Sequence, residues 1–292
     1  MPASLRRGVL WLLLSEVCYA FMRVSTRAGA GELPWAEIGA ARFLGGALVA
    51  IGLARAQGAS LRVGDRKNAW LRSLFGTGGA VCLFHALGTR RMAVGDATVL
   101  YATTPLWVAL MSGPMLRERV PAAVWGGIGV GFVGVAVLLQ AGIAWRNPTA
   151  LLVLLGAVSY AVALLRLRRL SSHESSEAIA LHMSLVAGVI MLAIALPQIR
   201  PVHAAAYLPL AASAVSGGLG QVTVGRAYAH APAARLSALT YSGVLFTYVL
   251  EAILFHHSPT WMQVAGALLV IAGGLLVSGI GRARRGGQRA GA

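Results

Sequence analysis

Apolar segments of about twenty residues follow one another along almost the whole chain, and short polar connections separate them. Each segment is long enough to cross a hydrocarbon core of roughly 30 Å as a helix that rises about 1.5 Å per residue. In hydrocarbon the backbone must satisfy its own hydrogen bonds, and a helix does so within one segment. The pattern predicts an all-α membrane protein and leaves no length for a separate soluble domain.

Apolar runs, and the glycine, proline and polar residues between them, predict ten transmembrane helices. The predicted segments are residues 8–28, 35–55, 69–88, 93–114, 121–140, 148–168, 177–197, 204–226, 233–256 and 259–280. The basic N-terminal start and apolar continuation are also typical of a signal peptide. Because Glu16 and Arg23 interrupt that apolar run, we interpret it as the first spanning helix.

The net charge of +16 raises the question of nucleic-acid binding. Basic residues that bind phosphates cluster on one face or tail, whereas here they lie between apolar runs, so no nucleic-acid partner is expected. The loops on the predicted inner side hold most of them, Arg72 included, and the outer loops hold Arg90, Arg91, Arg146 and Arg200. This imbalance predicts that both termini are cytoplasmic. A bacterial inner membrane is the expected location.

The two halves of the chain resemble each other, although each single match is weak. EVCYA (16–20) matches AVSYA (157–161) at an offset of 141, and the same offset pairs Gly76, Gly79 and Ala86 with Gly217, Gly220 and Ala227. An offset of 139 pairs Thr98, Trp107, Gly127 and Gly134 with Ser237, Phe246, Gly266 and Gly273. One two-residue insertion reconciles the series.

The predicted repeats are residues 1–141 and 142–281, followed by a basic cytoplasmic tail, 282–292. Each repeat holds five predicted helices, an odd number, so the second copy must enter the membrane inverted. Inverted repeats are a common architecture of secondary transporters, whose substrate site lies at the midplane between the halves. The pattern therefore favours a transporter with a small-molecule substrate in a lipid bilayer, and it requires no oligomer.

The segments GDATVLYATTPLWVALMSGPMLRERVPAAVWGGIGVGFVGVAVLL (95–139) and, more weakly, ARLSALTYSGVLFTYVLEAILFHHSPTWMQVAGALLVIAGGLLV (234–277) resemble the drug/metabolite transporter superfamily, specifically its ten-helix EamA-type exporters. The resemblance implies a kinked fourth helix in each repeat, an acidic turn and a glycine-rich fifth helix. Glu118 stands at that turn in the first repeat, and His257 departs from the pattern in the second. Arg42 resembles a basic residue often found in the family's second helix. The resemblance leaves the substrate open among amino acids, other metabolites and drugs.

Ionisable residues within spanning helices are costly and face a cavity or a partner. Glu16, Tyr19, Arg23 and Arg27 share one side of an ideal helix, which predicts that this side faces away from lipid. Glu16 is a candidate proton-coupling residue, because a carboxyl in low dielectric holds a proton readily; the alternative is a structural partner of Arg23 or Arg42. Arg23 and Arg42 are candidates for binding a substrate carboxylate. The alternative for Arg42 is a pair with Glu37 or Glu16.

The predicted fourth and ninth helices each carry a polar face, and we interpret the two faces as walls of one cavity. The ninth-helix face comprises Ser237, Thr240, Tyr241, Thr247, Tyr248 and Glu251, and the fourth-helix face comprises Thr98, Tyr101 and Pro105. Pro105 predicts a kink with a possible gating role. The candidate substrate-binding set is Tyr19, Arg23, Arg42, Thr98, Tyr101, Tyr160, Ser237, Tyr241 and Tyr248. Interhelical packing is the alternative for its hydroxyl-bearing members.

Sequence motifs of other functions are present only in unsuitable contexts or spacings. GVGFVG (129–134) fits a dinucleotide-binding pattern but lies within an apolar run, so we interpret it, with Gly127, as a close helix contact. Cys18 and Cys82 are too few for a cysteine metal site, and His256 and His257 are poorly spaced for one, so no metal or cofactor is expected. No hydrolase or zinc-protease motif supports an enzyme. The prediction is export of small amphipathic metabolites, amino acids foremost; the alternatives are a multidrug or other-metabolite exporter, an importer of the same superfamily, and a membrane-embedded enzyme.

Overall fold

The computed structural model describes residues 3–29, 33–88, 94–138, 148–199, 207–254 and 260–287, and within these ranges the secondary structure is helical, with no strand. The helices are α1 (Ala3–Gly29), α2 (Trp35–Gln57), α3 (Arg66–Gly88), α4 (Val94–Tyr101), α5 (Thr104–Leu116), α6 (Ala122–Leu138), α7 (Pro148–Leu170), α8 (Ser176–Ala195), α9 (Tyr207–His230), α10 (Ala233–Leu239), α11 (Tyr241–Leu254) and α12 (Trp261–Gly287). A 3-10 turn, Leu196–Gln198, follows α8.

Five of the described segments are long and apolar enough to cross a membrane by length and composition: Ala3–Thr26, Trp35–Gln57, Pro148–Leu170, Ser176–Gln198 and Ala233–Leu254. Two shorter apolar helices, Ala122–Leu138 and Trp261–Leu276, accompany them. These helices confirm the prediction of an all-α integral membrane protein. The count of ten spans and the cytoplasmic position of both termini stay predictions.

The predicted fourth and ninth helices are not continuous, because each is divided in two. Pro105 lies in the first turn of α5 and has no N–H to donate to the carbonyl of Tyr101, which instead accepts from the Thr104 hydroxyl at 2.7 Å. The second division, at Thr240, occurs without a proline. Thr103 Oγ1 donates to Leu100 O at one division, and Ser242 Oγ donates to Leu239 O at the other. These bonds occupy matching positions of the two halves at the offset of 139.

The helices of the two halves pack against each other in reciprocal pairs. The most extensive packing joins α1 to α9, α3 to α7, α2 to α8 and α6 to α12. If each helix is replaced by its counterpart in the other half, α1 with α9 becomes α7 with α3, and the other two pairs map onto themselves. The packing therefore has the pseudo-twofold relation that the sequence matches predict.

Glycines let α6 and α12 cross closely. A Cβ on Gly134 would lie 2.9 Å from the carbonyl oxygen of Gly266, and one on Gly273 would lie 2.8 Å from the carbonyl oxygen of Gly127. Gly127 matches Gly266 and Gly134 matches Gly273, so the two contacts are related by the same pseudo-twofold operation. The interpretation of the glycine-rich run as a close helix contact is confirmed for Gly127, Gly131 and Gly134, whereas a Cβ on Gly129 would meet no atom within 4 Å. Direct backbone approach of this kind is typical of helix association in lipid, where no hydrophobic effect joins helices.

Replacement of Gly134 by alanine is expected to destabilise the protein, because the new methyl would also lie 2.6 Å from the backbone nitrogen of Val270. Overpacking of this kind costs roughly 1–3 kcal/mol, and the melting temperature in detergent should fall by several degrees. Gly129→Ala is the matched control, because a Cβ there meets no atom within 4 Å. Equal melting temperatures for the two variants would contradict the close crossing.

Candidate functional site

The polar stripe of α1 faces α11. Glu16 is buried, with its side chain 6% exposed, and its Oε2 lies 3.6 Å from an Nη atom of Arg23, whose side chain is 41% exposed. This separation is within ion-pair range but longer than a normal hydrogen bond. Arg23 also donates to the carbonyl oxygen of Gly243 at 3.1 Å and to Thr247 Oγ1 at 3.0 Å. The contacts of Glu16 and Arg23 agree with the prediction that this stripe faces the protein interior. The side chain of Arg27 lies outside the described residues.

Gly243 makes room for the Glu16 carboxyl. A Cβ at residue 243 would overlap Glu16 Oε2 and would lie 3.2 Å from Arg23 Nη1. Glu16 Oε2 has no hydrogen-bond partner among the described residues, although it is buried. A buried carboxyl oxygen without a donor is costly, so it is a natural position for a proton or for a donor on a ligand.

Tyr19 and Tyr160 occupy matching positions in the two halves and pack on matching glycines. A Cβ on Gly220 would lie 2.9 Å from the Tyr19 ring, and a Cβ on Gly79 would lie 3.0 Å from the Cβ of Tyr160. The Tyr19 hydroxyl donates to Gln221 Oε1 at 2.9 Å. Both tyrosines therefore pack against a glycine backbone, Tyr19 on α9 and Tyr160 on α3.

Tyr101 joins this group at the division between α4 and α5. Its ring centroid lies 5.7 Å from that of Tyr160, with an angle of 31° between the planes. Offset aromatic pairs at such distances are favourable beyond their buried area. The contact between these two rings places the end of α4 beside α7. A conformational change at the α4–α5 division would therefore displace Tyr160.

Arg42 has no carboxylate within 4.0 Å among the described residues. Its Nε lies 2.6 Å from Met22 Sδ, and its guanidinium lies 4.2 Å from the centroid of the Phe43 ring. The described residues therefore do not contain the alternative, an ion pair of Arg42 with Glu37 or Glu16. Arg42 remains a cation without a charged protein partner in the part of the chain that is described.

Arg72 corrects the sequence analysis, which assigned it to an inner loop. It lies within α3 and is 1% exposed. Tyr19, Tyr101 and Tyr160 are each within electrostatic range of both Arg72 and Arg42. Sequence reasoning missed Arg72 because Arg66 and Lys67 precede it and continue the basic loop; the available signal was Gly76, one turn further along the helix. It also missed Gln221, an amide next to the repeat glycine Gly220.

We call this group the central cluster: Glu16, Tyr19, Arg23, Arg42, Arg72, Tyr101 and Tyr160. It lies between the halves, because its members come from α1, α2, α3, α4 and α7 and contact α9 and α11. The described members carry three guanidiniums and one carboxyl. Such an arrangement can hold an anionic group by charge-assisted hydrogen bonds, with tyrosine rings against an apolar portion.

Other predicted site residues lie elsewhere. The Tyr241 ring packs on Gly131 of α6 within an apolar cluster that includes Val135 and Val270. The Tyr248 hydroxyl donates to Gln263 Oε1 of α12 at 2.7 Å. Fully buried Ser237 donates to the carbonyl oxygen of Ala234.

Thr98 is half-buried on α4, and Pro105 begins α5. The side chain of Glu251, and both His256 and His257, lie outside the described residues. Within α11 the predicted polar face contacts three different helices, since Tyr241 packs on α6, Tyr248 bonds to α12 and Thr247 accepts from Arg23 of α1. A shared cavity lined by this face stays a prediction.

Ion pairs connect the helix ends on one side of the molecule, and we call this set the inner network: Glu118, Arg168, Glu177 and Arg226. Glu118 accepts from Arg168 Nε at 3.2 Å and from the backbone N–H of Ala233 at 3.0 Å. Arg226 pairs with Glu177 at 2.5 Å. The bonds of Glu118 join the turn after α5, in the first half, to α7 and α10 in the second half, and the Arg226–Glu177 pair joins α9 to α8.

Asp65 lies on the same side, in the turn before α3. Hydrogen bonds from the side chain and backbone of Asn68 lower the pKa of its carboxyl. Among the described residues no group of three His, Cys, Asp or Glu side chains could hold a metal ion. The chemistry that the described site offers is thus electrostatic and hydrogen-bonding.

Reciprocal packing of two halves around a buried polar cluster defines an integral membrane transporter rather than an enzyme. A sequence profile of the EamA-like transporter family matches the chain twice, over residues 6–140 and 147–279. Because these matches cover most of the chain, the protein belongs to the EamA-like transporter family.

The chain is similar to two named relatives. It is 26% identical over 269 residues to the pseudopaline exporter CntI of Pseudomonas aeruginosa, covering 91% of this chain and 94% of the relative. It is 23% identical over 270 residues to the riboflavin transporter of Vibrio cholerae, covering 91% of this chain and 90% of that one.

A solved structure, titled only as the crystal structure of a protein, superposes with a TM-score of 0.82 at 22% identity. The similarity covers 94% of this chain and 97% of that one. At this identity the similarity concerns the fold.

Replacement of Gly243 by alanine is expected to displace the Glu16 carboxyl, because the new methyl would occupy its position. The methyl would also crowd Arg23 Nη1, which donates to the carbonyl oxygen of Gly243, so transport of an anionic substrate should fall by the roughly tenfold that follows from one disturbed hydrogen bond to a charged group. Gly52→Ala is the control, because a Cβ there meets no atom within 4 Å. The measurement is initial uptake into proteoliposomes at equal protein content; wild-type rates for Gly243→Ala would remove Glu16 from the site.

Proposed function

We propose that the protein is a secondary or facilitative transporter that exports small amphipathic metabolites bearing a carboxylate, amino acids foremost. The observation that carries the proposal is the central cluster, in which three guanidiniums and one buried carboxyl face three tyrosines between the two halves. Arg42, whose guanidinium has no carboxylate partner among the described residues, binds the carboxylate, and the tyrosine rings contact the apolar part of the molecule. The Pseudomonas relative is an exporter, which supports this direction of transport.

Alternating access follows from the packing. The ten predicted spans form two inverted repeats, 1–141 and 142–281, in the inner membrane, and rocking of one half against the other exposes the cluster to each side in turn. The divisions at Pro105 and Thr240 supply matching flexible points beside the cluster. The inner network closes the predicted cytoplasmic side in the state described here. Opening toward the cytoplasm therefore requires separation of Glu118 from Arg168 and Ala233.

A second substrate class is supported by the names of the relatives. One exports pseudopaline and the other transports riboflavin, so the family resemblance is compatible with metabolites other than amino acids. The cluster discriminates by charge and by apolar contact rather than by a single side-chain shape. A substrate panel must therefore include carboxylates that are not amino acids.

Replacement of Glu16 by glutamine is expected to abolish the dependence of uptake on a pH gradient, because the amide keeps the shape of the carboxyl but cannot carry a proton. The measurement compares proteoliposomes with and without an imposed pH gradient. Glu174→Gln is the control: that carboxylate accepts from the backbone of Gly64 and Asp65, and an amide oxygen can do the same. Unchanged gradient dependence in Glu16→Gln would exclude Glu16 as the coupling residue.

Replacement of Arg168 by glutamine is expected to increase the fraction of molecules whose inner side is open. The change removes the charged hydrogen bond to Glu118, and such a bond contributes about 1.5–3 kcal/mol. Ala231, which is 1% exposed, can report this opening as a cysteine after Cys18 and Cys82 are changed to serine. Labelling by a water-soluble maleimide should become at least several-fold faster.

Arg169→Gln is the control for this experiment, because it removes an exposed charge from the neighbouring position. If Arg168→Gln and Arg169→Gln label at the same rate, the inner network does not control access.

The proposed function itself is tested by uptake of a labelled panel of amino acids and other carboxylates into proteoliposomes, beside protein-free vesicles. Saturable uptake of at least one carboxylate is expected, with competition among members of the panel. Saturable uptake restricted to molecules without an anionic group would overturn the substrate class and leave the fold assignment intact.

A further inference from the structure

Arg72 is a buried cation that the described protein does not neutralise. Its residue is 1% exposed, its Nη1 lies 3.5 Å from Met183 Sδ, and its Nε has no hydrogen-bond partner. No carboxylate of the described residues lies within 4.0 Å of it. A thioether sulfur is a weak acceptor and cannot offset the loss of hydration of a guanidinium, which stays charged under all physiological conditions.

A buried charge without a partner is strongly destabilising, so its retention calls for a compensating function. In hydrocarbon an arginine near a helix end can extend toward the headgroups and remain hydrated. Arg72 does not do so, because its Nη1 lies over Gly76, one turn deeper in α3: a Cβ there would lie 2.5 Å from that nitrogen. The guanidinium therefore points along α3 into the protein.

Arg72 and Arg42 both belong to the first half, and each lies beside a glycine and a methionine sulfur. Arg42 lies beside Gly217 and the sulfur of Met22, and Arg72 lies beside Gly76 and the sulfur of Met183. Gly76 and Gly217 are repeat counterparts at the offset of 141. Each guanidinium thus lies between a glycine and a methionine that come from different halves.

Each arginine lies one helical turn from tyrosines of the central cluster. A Cβ on Gly79, three residues after the glycine beside Arg72, would lie 3.2 Å from the Tyr101 hydroxyl and 3.0 Å from the Cβ of Tyr160. A Cβ on Gly220, three residues after the glycine beside Arg42, would lie 2.9 Å from the Tyr19 ring. Arg42 is the eighth residue of α2 and Arg72 the seventh of α3, so each lies about 10 Å inside the start of its helix at about 1.5 Å per residue. The two helices run in opposite directions through the packed pair of halves, so the arginines approach the tyrosines from opposite ends.

We propose that Arg72 is a second anion-binding side chain of the central cluster, and that the transported molecule carries two anionic groups, one bound by Arg42 and one by Arg72. This inference rests on the proposed export of carboxylates and narrows it to molecules such as acidic amino acids and dicarboxylates. Glu16 and Arg23 compensate each other, which leaves the two other guanidiniums for the substrate. A molecule with one carboxylate leaves one buried guanidinium without a partner.

The test compares matched molecules that differ by one charge: glutamate with glutamine, and the dicarboxylates from succinate to suberate with monocarboxylates of equal length. Calorimetric binding to the purified full-length protein and uptake into proteoliposomes are both measured. The wild type should bind at least one dianion about 10- to 100-fold more tightly than its singly charged counterpart, the factor expected for one charged hydrogen-bonded pair.

Arg72→Met should abolish this preference, because it should lower the affinity for the doubly charged molecule far more than the affinity for its singly charged counterpart. It should also leave the melting temperature of the empty protein unchanged or higher, because it removes an uncompensated buried charge. Arg72→Lys should keep part of the preference, since lysine keeps the charge without the planar fork. Lys67→Gln, which removes an exposed charge from the same helix, is the control and should retain the full preference.

Equal affinity of the wild type for singly and doubly charged molecules would overturn this inference and leave the proposed function standing. A full preference in Arg72→Met, or in Arg72→Lys if the methionine variant does not fold, together with a lower melting temperature, would assign Arg72 to structure and overturn the inference as well. Failure of the wild type to bind or transport any carboxylate would overturn both proposals.

Discussion

Hydrocarbon offers no hydrogen bond to a polar group, and the architecture of this protein follows from that constraint. Backbone groups are satisfied within helices, and where a helix is divided, hydroxyls take over the freed carbonyls. The Thr104 hydroxyl donates to the carbonyl of Tyr101, to which Pro105 has no N–H to donate. The hydroxyls of Thr103 and Ser242 donate to carbonyls at matching positions of the two halves. Charged side chains are subject to the same constraint, which is why the buried cations lie in the interior between the halves.

Glycine backbones determine how close the halves come. Gly134 with Gly266, and Gly273 with Gly127, let α6 and α12 touch, while Gly76 and Gly217 make room for the two arginines. Lipid chains are as apolar as leucine, so close packing rather than the hydrophobic effect holds such helices together. The same residue type therefore allows close helix packing at the α6–α12 crossing and makes room for charged side chains at the central cluster.

Much of the fold could be predicted from the sequence, because helix length, apolar composition and repeat matches are properties of the chain itself. A close helix contact at the glycine-rich run followed from its glycines, although its partner α12 did not. The placement of Glu16, Tyr19, Arg23 and Arg42 in one polar region followed from helix periodicity and cost of burial. The resemblance implied a kink in the fourth helix of each repeat, but periodicity along one continuous ninth helix could not show which neighbouring helices its polar side chains contact. Tyr241 packs on α6 and Tyr248 bonds to α12, although both lie on α11.

The sequence by itself determined that the chain is an all-helical membrane protein with two related halves, because these conclusions depend on composition, length and self-similarity. Only the tertiary structure decided which polar residues meet. Arg72 is indistinguishable from a loop arginine along the chain, and its burial depends on α3 packing against α7 and α8. Pairing across halves joins residues that lie more than 200 positions apart, as Tyr19 and Gln221 do. Such contacts are set by the three-dimensional packing of helices, which no local pattern encodes.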